Sequence, residues 1–386
     1  MTVLSSPQLG APERIAASSR RPATLGAAAP GAISLAMGEP DAGTPTAVVD
    51  AAVRSLMDGR TWYSPMTGAP ELREVLARKI SAGHPRPTTA REVVLTHGGS
   101  AGLAAAMLAL VQPGDRVLIP EPTYSLYADH AAMVGADVVW VAARADGSLD
   151  LEALRYEAAT ARMIIMCNPG NPTGRIYSAA DLAGIGALLA DHPDLLLLSD
   201  EAYGSIVFDE LPFISALDLS DVSSQVVYCS TLSKTYAMTG WRLGFVVASG
   251  PLADKINLIH RTINGPLNTF VQDAALTALA TPDADLQKMT ASYQERRNLV
   301  LEALAGIPDV EILTPQGAFY AFPRISTSLS SDEMVARFAA AGVMVRSGSE
   351  FGPSGEGHVR LSFATDVTSL KEGLDRFVTA VAAFPQ

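Results

Sequence analysis

The chain has 386 residues, of which 48% are hydrophobic and 18% are charged, and its formal net charge at pH 7 is -12. This length and apolar content predict a compact protein with a large core and more than one domain. The negative charge argues against nucleic acid as a partner, because phosphate binding requires a basic face.

The composition also bears on location, disulfides and metals. No apolar run reaches the length of a membrane span and the N-terminal residues lack the apolar core of a secretory signal, so we predict a cytoplasmic protein with no membrane partner. The two cysteines, Cys167 and Cys229, lie in apolar segments and are predicted to be buried thiols. The six histidines show no i, i+4 pairing, and no metal site is predicted.

The first segment of the chain, residues 1–30, is rich in Ala, Ser, Pro and Arg and has little hydrophobic periodicity. It predicts an arm that becomes ordered only by packing on another part of the protein. We assign residues 1–40 to this arm together with a short segment of a small domain.

From about residue 91 to 248, short apolar runs alternate with helical patterns. The runs are REVVLTH, DRVLIPE, ADVVWVAA, ARMIIMCNP, DLLLLSDEA, QVVYCST and RLGFVVAS. They are continuously apolar, which is typical of strands covered by helices on both faces. We therefore predict an α/β fold in which a mostly parallel seven-stranded sheet forms a large domain over residues 41–285.

After residue 250 this alternation stops. The pattern predicts a long helix ending at Gly306, a helix near 331–341 and a last helix from about 367 to 383, with short strands between them. The simplest interpretation is a smaller α+β domain over residues 286–386.

Polar segments follow several of the predicted strands. HGGSAG (97–102) opens a helix after the first strand, NPGNPTG (168–174) follows the fourth, SDEAY (199–203) the fifth and STLSK (230–234) the sixth, while TGWRLG (239–244) precedes the seventh. Each alone is typical of a turn, a helix cap or a solvated loop. Ligands of doubly wound sheets bind beyond the carboxyl ends of the strands, so together these segments predict one functional rim.

Pyridoxal 5'-phosphate is the cofactor that uses all of these groups. It requires a lysine amine for a Schiff base, a carboxylate at its pyridine nitrogen and donors for its phosphate. Lys234 supplies the amine, and we expect nearby cations and partial burial to lower its pKa. Asp200 supplies the carboxylate, which keeps the ring protonated so that it can accept electrons from the substrate Cα.

With LAMGEPD (35–41), YSPMTGAPELR (63–73) and HVRLSF (358–363), these motifs resemble those of the class I/II aminotransferase family of fold-type I pyridoxal-phosphate enzymes. The resemblance runs in order from about residue 31 to 380. It implies an aminotransferase that moves an amino group between an L-amino acid and a 2-oxo acid through a Schiff base at Lys234. It also implies a homodimer with active sites at the subunit interface.

The resemblance assigns individual roles. The catalytic residues are Lys234, Asp200 and Tyr203. The cofactor-binding residues are Tyr63, Gly99, Ser100, Ala101, Tyr124, Asn171, Asp200, Tyr203, Thr231, Ser233, Lys234 and Arg242. The substrate-binding residues are Gly38, Asn171 and Arg360.

Within these sets, Tyr203 and Asn171 resemble the donors to the phenolic oxygen of the cofactor, and Tyr124 the aromatic residue that stacks on its ring. A second group resembles the phosphate site: Ser100, Thr231, Ser233 and Arg242, with the backbone of Gly99 and Ala101. Tyr63 resembles a phenol that reaches the phosphate of the neighbouring subunit, and Arg360 the fork that holds the substrate α-carboxylate.

The chain departs from the family pattern at some positions. Thr231 stands where serine is usual, and Ser100 stands where some aspartate-specific members carry lysine, which weakens an aspartate assignment. Arg324 and Arg346 offer two further cations near the cleft, although the favoured interpretation of each is a solvated surface residue, and their roles stay open.

Three other functions are compatible with parts of this pattern. A β- or γ-eliminating or cyclising enzyme of secondary metabolism stays open, because the same cofactor supports both outcomes. A transcription regulator with an aminotransferase-like domain is disfavoured, because the chain shows no added DNA-binding domain or basic face. A dinucleotide-dependent dehydrogenase is disfavoured because no G-x-G-x-x-G follows the first strand and Lys234 and Asp200 would have no role.

Overall fold

The computed structural model describes residues 10–21 and 31–385. Its strands are β1 (Ile33–Ser34), β2 (Val93–Thr96), β3 (Arg116–Glu121), β4 (Asp137–Ala142), β5 (Ala161–Cys167), β6 (Leu196–Asp200), β7 (Val226–Thr231), β8 (Gly244–Ala248), β9 (Val310–Glu311), β10 (Tyr320–Ala321), β11 (Arg324–Ile325), β12 (Val343–Met344), β13 (Arg346–Ser347) and β14 (Val359–Ser362).

The α-helices alternate with these strands in the first part of the chain and lengthen after β8. They are α1 (Ala11–Ser18), α2 (Thr46–Met57), α3 (Pro70–Gly83), α4 (Gly99–Leu110), α5 (Leu126–Val134), α6 (Leu151–Ala158), α7 (Ala179–Asp191), α8 (Leu232–Thr235), α9 (Gly250–Asn264), α10 (Thr269–Leu279), α11 (Asp283–Leu304), α12 (Ser331–Ala340) and α13 (Val367–Val381).

A seven-stranded sheet with the order β2-β8-β7-β6-β5-β3-β4 forms the centre of the protein. Strand β8 runs antiparallel to β2 and β7, and the other neighbouring pairs are parallel. All seven apolar runs predicted from the sequence are strands of this sheet. The predicted fold class is therefore confirmed.

Helices cover both faces of the sheet. Val94 and Val246 pack on one face, in a core that includes Leu103 of α4 and Ile256 of α9. Their chain neighbours Val93 and Val247 pack on the opposite face with residues of α3 and α10. Because both faces are buried, successive strand residues are all apolar, which explains the continuous runs in the sequence.

The C-terminal strands and helices enclose another core. The strands form an antiparallel group, β10-β14-β13, and the pair β9-β11, while β12 pairs in parallel with β1 from the start of the chain. Phe338 of α12 stacks on Phe377 of α13 with ring centroids 4.3 Å apart. Helix α11 ends at Leu304, two residues earlier than predicted, and Gly306 follows in a left-handed turn with φ of 71°.

The predicted N-terminal arm contains a helix that its weak periodicity did not indicate. Helix α1 packs on α5, and Arg14 Nε donates to the carbonyl of Ala132 at 2.8 Å. Residues 1–9 and 22–30 of the predicted arm lie outside the described residues. In the part of the chain that the structure covers, none of the helices combines the length and hydropathy needed to cross a bilayer.

Candidate active site

A pocket of about 320 Å³ lies at the carboxyl ends of β5, β6 and β7, and we call it the rim pocket. The predicted site residues that line it are Gly38, Gly99, Ser100, Tyr124, Asn171, Asp200, Tyr203, Thr231, Ser233, Lys234, Arg242 and Arg360. The strands of the central sheet bring most of these segments to one edge of the sheet, as the sequence predicted, while Gly38 reaches the pocket from the segment after β1 and Arg360 from β14.

Lys234 lies on the short helix α8, directly after β7. Thr231 begins this helix, because its hydroxyl accepts a hydrogen bond from the Ser233 amide at 3.1 Å. The Lys234 Nζ donates to the Gly38 carbonyl at 2.6 Å. Its pKa is lowered to about 8, chiefly by burial and also by the charges of Arg360 and Arg242. The amine is therefore far easier to deprotonate than an exposed lysine.

Asp200 is the last residue of β6 and is buried. Its Oδ2 accepts a hydrogen bond from the Tyr127 hydroxyl at 2.8 Å, and its Oδ1 accepts one from the Ala202 amide at 3.3 Å. Burial raises the pKa of Asp200 to about 6, while these hydrogen bonds and Lys234 oppose the rise. The carboxyl group is thus held in place and is largely ionised at neutral pH.

Tyr127 is a residue of the site that sequence reasoning missed. It lies fully buried on α5, and its ring meets the ring of Tyr124, which precedes that helix, edge to face with centroids 5.6 Å apart. The short spacing of the two tyrosines in PTYSLY was the available indication that Tyr127 lies close to the predicted site residue Tyr124.

The part of the rim pocket around the start of α4 and Arg242 suits an anion. Helix α4 begins there at Gly99, and its first amides point out of the helix without intrahelical partners. Among the described residues, none of the carboxylates forms an ion pair with Arg242, whose Nη1 donates to the Thr239 carbonyl at 3.0 Å. Gly98 has φ of 81°, and a Cβ there would lie 2.5 Å from the Arg242 Nη2, so glycine is required for this approach.

Arg360 is buried on β14 without a carboxylate partner within the described segments. Its Nη1 donates to Asn171 Oδ1 at 3.0 Å and its Nη2 donates to the Ala36 carbonyl at 2.6 Å, whereas its buried Nε has no hydrogen-bond partner in the described part of the chain. The guanidinium lies over the Tyr320 and Phe351 rings, 4.4 and 5.0 Å from their centroids. A buried cation with a free donor suits an incoming carboxylate.

Tyr320 and Phe351, which were not predicted, complete this wall of the rim pocket. The Tyr203 and Tyr320 hydroxyls lie 2.8 Å apart. A Cβ at Gly38 would overlap the Tyr320 hydroxyl, so a glycine is needed where the backbone at residue 38 approaches this phenol.

The interpretation of Arg346 as a solvated residue was wrong. Its side chain is 16% exposed, lines the rim pocket and is paired with Glu350 through an Nε to Oε2 hydrogen bond of 2.8 Å. It lies opposite Arg360 in the β13–β14 register, which brings it to the same face. Arg324 is half exposed and lies outside the rim pocket, 3.6 Å from Glu311.

Tyr63 and Ala101, both predicted to bind the cofactor, do not line the rim pocket of this chain. Ala101 lies in the first turn of α4, and the Tyr63 side chain is 89% exposed. Cys167 and Cys229 are buried and unpaired, which confirms the prediction of core thiols.

Comparisons with known proteins give matches over most of the chain. Residues 30–377 match the family model described as Aminotransferase class I and II. An aspartate aminotransferase of Pyrococcus horikoshii is 34% identical and an aromatic-amino-acid aminotransferase 2 of Thermococcus litoralis is 36% identical, each over 90% of this chain and 90% of the relative. The solved aromatic aminotransferase from Pyrococcus horikoshii aligns with a TM-score of 0.89 at 31% identity, over 97% of this chain and 99% of that one.

Proposed function

The chain belongs to the aminotransferase class I and II family, and from that premise we propose that the rim pocket is its active site. The protein is a pyridoxal-phosphate-dependent enzyme that moves an amino group between an amino acid and a 2-oxo acid. One observation carries the proposal for the site: an amine of lowered pKa, a buried carboxyl and an unpaired buried guanidinium line the same pocket.

The donor set fits the cofactor from end to end. The unpaired Arg242, the α4 amides and the hydroxyls of Ser100, Thr231 and Ser233 would hold the phosphate. Asp200 would pair with the pyridine nitrogen, and the hydroxyl of Tyr203 and the amide of Asn171 would donate to the phenolic oxygen. Tyr124 would cover the ring. When bound, pyridoxal phosphate supplies an electron sink for the bond broken at the substrate Cα.

The protein side of the reaction is binding, orientation and proton transfer. The substrate α-carboxylate would bind the Arg360 fork, where the Nε is free. Lys234 would take the proton from Cα, because its lowered pKa gives a useful fraction of neutral amine near physiological pH. The walls formed by Tyr320 and Phe351 would exclude water from this proton.

Tyr127→Phe is predicted to make cofactor affinity depend on pH. Removing the hydroxyl deletes a hydrogen bond that lowers the pKa of Asp200, so this pKa rises further above its ordinary value and the neutral acid becomes more populated. We expect pyridoxal phosphate to bind roughly tenfold more weakly at neutral pH, with recovery as the pH increases above the pKa of Asp200. Fluorescence titration with the cofactor at several pH values measures this effect.

Tyr156→Phe is the matched control, because Tyr156 is 84% exposed and lies outside the rim pocket. A uniform loss of affinity at every pH in the Tyr127 variant would indicate disturbed packing and would count against the proposed role.

A homodimer is part of the proposal. Large apolar side chains are exposed on α2 and in the loop after it: Val53, Leu56, Met57, Trp62, Tyr63 and Met66. Such a patch is typical of a protein interface. We propose that a second copy covers it and that Tyr63 reaches the phosphate site of that copy.

Two measurements test the dimer. Sedimentation of the wild-type protein should give the mass of two chains. Tyr63→Phe should leave this mass unchanged and weaken cofactor binding roughly tenfold, the loss expected for one hydrogen bond to a charged group. Tyr156→Phe again serves as the control, and a monomeric wild-type protein would contradict the proposal.

The substrate is tested with a panel of amino acids that includes aspartate and the aromatic amino acids, the classes named in two of the relatives. With no oxo acid acceptor present, we expect the loaded enzyme to release about one equivalent of 2-oxo acid per site and no ammonia. Continuous release of ammonia would support the elimination alternative instead, which the relatives do not favour.

We also propose a division of the chain into an arm with a short small-domain segment (1–40), a large domain (41–285) and a small domain (286–386). The pairing of β1 with β12 supports it, because it joins the first segment to the small domain.

A further inference from the structure

A second cavity, of about 370 Å³, lies between the central sheet and the C-terminal strands, and we call it the back cavity. It adjoins the rim pocket, because Cys167 lines both. The sheet contributes the ends of β3 and β4 and the segment after β5, and the C-terminal part contributes residues 311–313 and 322–324. Its volume is within the range of small-molecule sites.

The walls of the back cavity are mainly apolar. Pro120, Leu149, Ile312, Leu313 and Phe322 lie around it. The Phe322 ring is itself fixed by stacking on His358, with centroids 4.7 Å apart. An occupant therefore needs an apolar body to replace water against these walls.

Three arginines line the same cavity: Arg144, Arg175 and Arg324. The Arg175 Nε is buried without a hydrogen-bond partner, and no ion pair joins Arg175 to a carboxylate of the described residues. Asp146, on the neighbouring loop, accepts hydrogen bonds from the Ser148 amide and hydroxyl at 3.0 and 2.6 Å. The guanidinium of Arg175 is therefore left with unused donors.

The acidic groups nearby do not saturate these arginines. Asp150 lies 3.7 Å from Arg144 and Glu311 lies 3.6 Å from Arg324, both long contacts between partly exposed side chains. Glu121 is buried and accepts from the Ser354 amide at 2.9 Å. Three arginines and the acids Glu121 and Glu311 line the cavity, and the charges of Asp146 and Asp150 act on Arg175 and Arg144 from beside it. The net charge is therefore not positive, and the feature that favours an anion is the buried Arg175 Nε, which has no hydrogen-bond partner among the described residues.

We propose that the back cavity binds a small carboxylate with an apolar body. The guanidinium forks match a carboxylate, and the apolar walls match an aromatic or branched hydrocarbon group. An inorganic anion would leave those walls hydrated. The occupant would contact the segment that carries Asn171 and the region next to β14, which carries Arg360.

The test uses 3-phenylpropionate, which has no amino or 2-oxo group and so is not a substrate. Calorimetry with the cofactor-loaded enzyme should show binding with a Kd on the order of 1 mM or tighter. Arg175→Gln should weaken binding roughly tenfold, the loss of a charge-assisted hydrogen bond. Arg155→Gln, the same change at an exposed arginine outside both cavities, should leave it unchanged.

A second variant guards against misfolding. Ala145 is exposed at the cavity wall, so Ala145→Trp should block entry without disturbing the core, and it should weaken binding at least as much. The neutral analogue 3-phenylpropan-1-ol should bind at least tenfold more weakly than the acid, because it cannot pair with the arginines. Equal binding of acid and alcohol would overturn the proposal.

Binding of 3-phenylpropionate in the back cavity must be distinguished from binding in the rim pocket, because Arg360 could also hold its carboxylate. Arg360→Gln should retain binding of 3-phenylpropionate if the back cavity is the site. No measurable binding to the wild-type enzyme, loss of binding with Arg360→Gln, or binding unaffected by both Arg175→Gln and Ala145→Trp would each refute the site.

Discussion

Lys234→Ala is expected to abolish transamination while the protein remains folded. Lys234 lines the rim pocket, and its amine has two proposed roles: it binds the cofactor and it moves the Cα proton. Losing the proton-transfer role alone would lower the rate by about 10²- to 10⁴-fold, and losing both roles should lower it further. Single-turnover measurements of 2-oxo acid release report this step directly.

Stability distinguishes lost chemistry from lost folding. Burial lowers the pKa of Lys234 from 10.5 to about 8, so below pH 8 the folded protein carries a buried charge that the unfolded chain exposes to water. In the cofactor-free protein, Lys234→Ala should therefore raise the free energy of unfolding. The gain should be full below pH 8 and should disappear as the pH rises through about 8 to 10.5.

Urea unfolding at several pH values, with exposed Lys255→Ala as the control, measures this gain. Substantial transamination by a folded Lys234→Ala protein would refute the assignment of the amine, whatever its stability.

Arg360→Gln is expected to give the second largest loss. The substitution removes a buried guanidinium that has a free Nε and leaves Asn171 Oδ1 and the Ala36 carbonyl without their donors. The loss of one partner of a buried charged pair costs about 2 to 5 kcal/mol, which corresponds to roughly 30- to 5,000-fold in kcat/KM for the amino acid. Steady-state kinetics and cofactor titration measure the two effects separately.

The proposed role requires that the loss be confined to substrates. Cofactor affinity should change little in Arg360→Gln, and Arg360→Lys should recover only part of the activity, because lysine lacks the planar fork. Exposed Arg337→Gln on α12 is the matched control. An equal loss of cofactor affinity would show that Arg360 acts on the architecture of the pocket rather than on the substrate carboxylate.

Much of the fold was predictable because burial on both faces of the sheet leaves a strong pattern. Strands β6 and β8 are buried at every position; β8 is a continuous apolar run, and β6 is apolar up to the polar Ser199 and Asp200 at its end. Helix α1 was missed because it has only eight residues, APERIAAS, which span about two turns and are too few to establish a helical period in the sequence. The end of α11 was placed two residues late, since a C-terminal glycine indicates a helix end only approximately.

The rim pocket was predictable where its residues end a strand or follow one within a few positions. Lys234, Asp200 and Asn171 belong to this group. Tyr127 was missed because its hydroxyl reaches Asp200 from a helix, across a separation of 73 residues. Arg346 was misplaced because its position depends on pairing with β14, and a short strand does not reveal its register.

By itself, the sequence determined the parallel sheet, the order of its strands along the chain and the identity of the groups at their carboxyl ends. Local chemistry is enough for these, because burial and turn formation act over a few residues. Only the tertiary structure decided the spatial order, which inserts β8 between β2 and β7, and the partners of each polar group. Tyr127 donates to Asp200 and Arg346 donates to Glu350, while the Nε atoms of Arg360 and Arg175 have no partner among the residues that the structure describes. The reason is that hydrogen-bond satisfaction and pKa depend on neighbours brought together by packing, and these lie far apart in the chain.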